Sequence, residues 1–227
     1  MTMGLYFFAL FLGLGLGIFL AIGRHYGGPA ISRISTAYIE FLRGTPLLAQ
    51  ILAIIAIPPV LSFWLVAQGM APIDNTWRII LPDLFGTPRI VLNSVILLCA
   101  ITLGLNSAAY QAEFFRGSMA SISVGQTLAA QSIGLTKRQE IRHIVLPQSL
   151  RRAIPAWANE AVYLPKYTTV AYMVGVPELF GAAKLIVART YEALFVYALV
   201  AIIFLVLISF ISWILDKIYE RVRIPGM

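Results

Sequence analysis

Asn159, Glu160, Lys166, Thr168 and Thr169 lie close together in an otherwise apolar stretch, with Pro165 among them. An amide, a carboxylate, an ammonium and two hydroxyls can hold a polar or charged solute by hydrogen bonds and ion pairing. Proline removes a backbone donor, and a loosened polar helix is tolerated in a membrane only inside protein or beside water. The stretch therefore lines a solute path or packs against another helix. Glu113, three residues before Arg116, and Glu40, three before Arg43, are further charges in apolar surroundings. That spacing also allows each to pair on its own helix face, so both have a structural reading beside the functional one.

Other chemistry lacks its residues. His25 and His143 are the only histidines, with no H-E-x-x-H or similar zinc spacing, so no metal site is expected. Cys99 is the only cysteine, which excludes an intrachain disulfide and a cysteine metal cluster; it reads as a small packing residue. There is no G-x-S-x-G elbow and no G-x-x-x-x-G-K-S/T phosphate loop, so neither acyl-transfer catalysis nor ATP binding by that loop is expected.

The elements that must position these residues are membrane helices. Of 227 residues, 59% are hydrophobic and 12% charged, about half the charge of a soluble domain. A span needs roughly 20 mainly apolar residues. Segments 4–22, 34–57, 90–112, 154–174 and 193–215 qualify, which predicts an all-α polytopic protein of about five spans. The first has no early basic region or clear cleavage site, so it reads as a span and not as a secretory signal. Residues 58–89, with Pro59, Pro72, Pro82 and Pro88, read as an external loop carrying a short surface helix.

Arg24, Arg33, Arg116, Lys137, Arg138, Arg142, Arg151, Arg152, Lys217, Arg221 and Arg223 fall on one side; Arg78, Arg89, Lys184 and Arg189 fall on the other. The excess makes the first side cytoplasmic, with the N-terminus outside and the C-terminus inside. The net charge of +7 is then mostly topology, and no nucleic-acid partner is expected.

The cytoplasmic segment 118–147 is the most polar long stretch. Ser123 with Gln126 and Thr136 with Gln139 fit two capping boxes, Gly134 suits a left-handed helix end, and Pro147 reads as a stop. This predicts a helix-turn-helix, and Ala129 and Ala130 leave one of its faces open to close approach.

Leu128-Ala129-Ala130, Gly134, and Ile144-x-Leu146-Pro147 match in spacing the pattern E-A-A-x3-G-x9-I-x-L-P. The segment thus resembles the EAA loop of ATP-binding-cassette importer permeases, with Leu128 in place of the glutamate. Tyr38 to Leu48 resembles the Y-x-E-x-x-R-G-T-P-L-L signature of the polar amino acid permeases. Tyr110 to Glu113 with Arg116-Gly117, Pro147-Gln148 with Arg151-Arg152, Asn159-Glu160, and Gly175-Val176-Pro177-Glu178-Leu179 resemble later motifs of that family. Lys166 to Val170 is similar to K-D/N-T-S-L, with Tyr167 and Thr169 departing. The chain ahead of the first span is shorter than is usual in this family.

The resemblance implies a permease subunit of a bacterial or archaeal plasma membrane. It implies a second permease chain, alike or different, two ATPase subunits that bind ATP and Mg, an extracytoplasmic amino-acid-binding protein, surrounding lipid and a polar amino acid substrate. It makes Leu128, Ala129, Ala130, Gly134, Leu135, Ile144, Leu146 and Pro147 the ATPase-coupling residues. Glu113, Asn159, Glu160, Lys166, Thr168 and Thr169 are the candidate path. Glu113 or Glu160 on the path favours a cationic amino acid, and Lys166 an acidic one. The alternative is a secondary transporter or channel with Glu113, Glu160 and Lys166 as an ion relay; a membrane enzyme is disfavoured for want of a nucleophile, metal set or carboxylate dyad.

Overall fold

The structure is a computed structural model and describes residues 1–74, 77–80 and 91–222. Arg89, Pro82, Pro88, Arg223 and the expected start of the third span at residue 90 lie outside these. Helix α1 (Thr2–Tyr26) is followed by α2 (Pro29–Gly44) and α3 (Leu47–Ala67). Strands β1 (Arg78–Ile80) and β2 (Val91–Asn93) pair antiparallel, Arg78 opposite Asn93. Next come α4 (Ser94–Ala120), α5 (Val124–Ser132), α6 (Lys137–Glu140), a π-helical turn (Ile141–Val145) and α7 (Leu146–Tyr167). A 3-10 segment (Thr168–Val174), α8 (Leu179–Thr190) and α9 (Ala193–Val222) complete the described chain.

Helices α1, α3, α4 and α9 are long and apolar enough to cross a membrane. The continuous helical run Lys137–Val174, bent 55° from α8, makes a fifth span if the pair counts as one. This agrees with the expected all-α architecture of about five spans.

Helix α4 is the hub, with α1, α2, α3 and α7 packed on it. Without a hydrophobic force between helices in lipid, close approach needs small residues. Helix α1 supplies Gly13, Gly17 and Ala21, all buried on one face. A Cβ on Gly17 would stand 3.0 Å from Cβ of Gln111 and 3.2 Å from the carbonyl oxygen of Ala108. By contrast α3 and α9 leave large apolar residues such as Phe63, Leu199, Leu205 and Phe210 exposed, as lipid-facing helices do.

The second expected span differs from the sequence reading in two ways. The span expected at 34–57 is broken at Thr45 and Pro46 into α2 and α3, because Pro46 has no amide to continue the ladder and instead caps α3. Helix α3 then continues through Pro58 and Pro59 to Ala67, where an external loop was expected from residue 58. The sequence there stays apolar, and lipid offers no substitute hydrogen bonds, so the backbone remains helical around the prolines. Among the described residues the stretch after α3 contains β1 rather than the expected surface helix.

Candidate functional site

The loop after α4 is built as two helices locked by internal bonds. Gly134 has φ +78, and the amide of Leu135 donates to Ala130 O at 3.1 Å while that of Gly134 donates to Gln131 O at 2.9 Å. This left-handed closure ends α5 as expected. Thr136 and Gln139 form the capping box of α6: the Thr136 amide donates to Gln139 Oε1 at 2.8 Å, and the Gln139 amide to Thr136 Oγ1 at 3.4 Å. Ser123 stands at the start of α5 but its side chain makes no cap bond, so the first expected box is only positional. Pro147 does not stop the second helix. The chain widens into a π turn, in which Leu146 donates to Ile141 O, and continues into α7. One residue of slack lets the helix pass the residue that lacks a donor.

Glu140 is the brace between the two helices. It is fully buried, accepts from Lys137 Nζ at 2.7 Å and faces Gln131 Nε2 at 3.5 Å. The hydrogen bond from Lys137 holds its carboxyl below the usual range. Lys137 also lies over the Tyr26 ring, 4.9 Å from its centre, and so joins the loop to the end of α1. Arg152 of α7 donates to Ser121 O at 2.5 Å and ties the loop entry to the helix that leaves it. Ala130 and Val145 are buried, Ile144, Leu135 and Leu146 half-buried, and Leu128, Ala129, Gly134 and Pro147 exposed.

Within the bundle, polar groups form two buried chains. Trp157 Nε1 donates to Gln111 Oε1 at 2.7 Å; Gln111 Nε2 donates to Ser107 Oγ at 3.0 Å and to Leu10 O at 3.3 Å. Ser107 Oγ donates to Glu160 Oε1 at 2.7 Å. This chain joins α7 to α4 and touches α1. The second chain closes the α2–α3 break. Gln50 Nε2 donates to Leu42 O at 2.8 Å and Thr45 O at 3.1 Å, and Asn106 Nδ2 donates to Leu42 O at 3.2 Å and Gln50 Oε1 at 3.0 Å. Carbonyls released by the break are thus satisfied from a neighbouring helix.

The candidate path residues separate into three environments. Glu113 is engaged by Arg24 and, through both oxygens, by Arg116 at 2.9–3.2 Å; Arg24 also reaches Glu40 at 3.0 Å. Glu40 therefore pairs across helices with Arg24, while Arg43 lies over the Tyr110 ring at 5.4 Å. Glu160 is buried in the first chain, and Thr168 is buried with its hydroxyl donating to Pro165 O at 2.7 Å. Asn159 and Lys166 are exposed on one stripe of α7 with Tyr163, and the ammonium stands 4.5 Å from the centre of the Tyr163 ring. Thr169, one turn beyond, donates to Lys166 O at 2.7 Å. Glu113, Glu160 and Lys166 each have separate partners, which gives no contiguous ion relay.

Residues 13–224 match the family of binding-protein-dependent transport system inner membrane components. The chain belongs to this family. Such a permease subunit forms the translocation pathway of an ATP-binding-cassette importer and couples it to separate ATPase subunits; it is not an enzyme. The probable amino-acid permease protein YxeN of Bacillus subtilis is 34% identical over 90% of this permease and 80% of its own length. The L-cystine transport system permease protein TcyL of the same organism is 30% identical over 95% and 81%. The glutamine transport system permease protein GlnP of Escherichia coli is 29% identical over 93% and 85%. A crystal structure of an amino acid ABC transporter with histidines superposes with a TM-score of 0.74 at 28% identity, over 97% of this permease and 90% of that chain. The MetNI methionine ABC transporter in an inward-facing conformation shares the fold, with a TM-score of 0.73 at 18% identity, over 98% and 93%.

Ser107, Gln111, Trp157, Gln50 and Asn106 carry the buried chains of the permease but were not singled out as functional in the sequence. Their signal is an uncharged amide, hydroxyl or indole N–H inside a largely apolar helix, which hydropathy treats as a minor dip. Gly13 and Gly17 have a clearer signal, the small-x-x-x-small spacing that continues to Ala21.

Proposed function

We propose that this permease carries a polar amino acid along the exposed stripe of α7. Asn159, Tyr163 and Lys166 are the supporting observation: an amide, a phenol and an ammonium on one open helix face at membrane depth are costly against lipid and belong beside water or protein. A second permease chain, a copy or a different subunit, closes the other side of that path. Two ATPase subunits, holding ATP and Mg, bind the loop of α5 and α6, and an extracytoplasmic binding protein delivers the substrate at the opposite end. The excess of basic residues at the loop end supports a cytoplasmic loop and C-terminus and an outer N-terminus, in a bacterial or archaeal plasma membrane. The relatives' names support an amino acid cargo, and a zwitterion suits a face with both an amide and a cation. Purified permease with its ATPase and binding protein, reconstituted in vesicles, tests this. ATP hydrolysis should rise on addition of one polar amino acid from a panel, and a flat response across the panel overturns the reading.

A further inference from the structure

The outward face of α5 has no charged group. Gly125, Leu128, Ala129 and Ser132 recur at helical spacing and are all exposed, whereas Ala130 is buried against the rest of the chain. Leu128 is the only large side chain on that stripe and is 56% exposed; Val124, 71% exposed, and Ile133, 75% exposed, flank it at the two ends of the helix. The Ser132 hydroxyl donates to Leu128 O at 2.9 Å, so it is satisfied within its own helix. The acid of this loop, Glu140, is buried and held by Lys137, and is not offered to a partner. Charge appears only beyond α5, where Arg138 and Arg142 are exposed one turn apart on the second helical segment.

We propose that the ATPase partner of this permease presents an apolar socket for Leu128, bordered by carboxylates that meet Arg138 and Arg142. This rests on the coupling role assigned above and adds the chemistry of the partner's surface. Small residues on both sides of Leu128 let the partner backbone come close, and a projecting leucine between them has the shape of an anchor. A cationic groove of the kind that would receive a glutamate would meet here an apolar side chain and two nearby arginines. Its charge would be desolvated without a counter-ion, which is strongly unfavourable. The socket therefore selects between ATPases: one shaped for a glutamate-bearing loop should bind this loop poorly.

The test is retention of the co-expressed ATPase on affinity-tagged permease in detergent, across a salt series. Leu128→Glu should lower retention about tenfold or more, and Leu128→Ala should lower it too; both act at an exposed position. Arg138→Glu with Arg142→Glu should weaken retention most at low salt, because a charged rim is screened as salt rises. Retention by Leu128→Glu equal to or above that of the original chain overturns the proposal, since it means that a cationic site awaits the carboxylate. This readout needs no transport. A failure of amino-acid-stimulated hydrolysis in the unaltered complex counts against the transport reading, and the retention series still decides the socket.

Discussion

At the scale of single residues, the closest packing depends on what is absent. Gly17 leaves room for Gln111 and Ala112 of α4, whereas Gly15, on the exposed side of the same helix, would place an added Cβ with nothing within 4 Å. Gly17→Leu should therefore cost about 1–3 kcal/mol of stability through overpacking, while Gly15→Ala should be neutral or slightly stabilising. Thermal unfolding of the two purified variants against the original chain checks the contrast; equal losses would remove the α1–α4 contact as the cause. Glu140 gives a second test. Its carboxyl is depressed in the folded loop, so its contribution is complete above the ordinary carboxylate range near about pH 4.3 and fades as pH falls through the lower folded value. Protease cleavage within α5 and α6 should rise on acidification in the original chain. Glu140→Gln should be cleaved more readily at neutral pH and lose most of that acid dependence.

Among the elements, the α2–α3 junction and the loop of α5 and α6 show how a broken helix is kept rigid. Gln50 and Asn106 supply the donors that the Leu42 and Thr45 carbonyls lose at Pro46. Gln50→Leu removes one of these donors and should destabilise the bundle by about 1–3 kcal/mol, the cost of leaving a buried polar group unpaired. A melting temperature unchanged by that substitution would mean that Asn106 alone satisfies the break. Gly134 at φ +78 faces open space, so Gly134→Val is penalised by backbone strain, not by a clash. It should uncouple ATP hydrolysis from uptake while insertion remains normal, and unchanged ATP-dependent uptake would count against the docking role. The loop was legible because each device is local: Thr136 with Gln139, and Gly134 at a helix end. The α2–α3 break and the passage of the helix around Pro147 were not, because both depend on distant or unusual bonding. Gln50 and Asn106 are far apart in sequence, and a proline reads as a stop unless a π turn absorbs it. Likewise Glu40 looked like a partner for Arg43 within one helix, and only tertiary packing brings Arg24 to it.

For the whole molecule, the surface divides by chemistry in a way that no single helix reveals. Helices α3 and α9 turn large apolar side chains outward, while α7 turns out Asn159, Tyr163 and Lys166. If the first surface meets lipid, the second meets water or another chain, and the two should respond oppositely to a polar thiol reagent. Cys99, the chain's only cysteine, is buried, so it gives little background. In the assembled transporter in vesicles, Asn159→Cys should be modified by a membrane-impermeant maleimide at a rate that changes between ATP-bound and ATP-free states, whereas Leu205→Cys on α9 should stay slow in both. The same logic gives Lys166 its test. Its ammonium is held over Tyr163 and contacts no carboxylate among the described residues, so removing it leaves no buried charge unpaired. Lys166→Ala should therefore leave thermal stability within about 0.5 kcal/mol, as exposed substitutions do, yet raise the substrate concentration needed for half-maximal uptake several-fold. Normal uptake kinetics in that variant would take Lys166 off the path, and equal modification of the α7 and α9 cysteines would take the whole stripe off it.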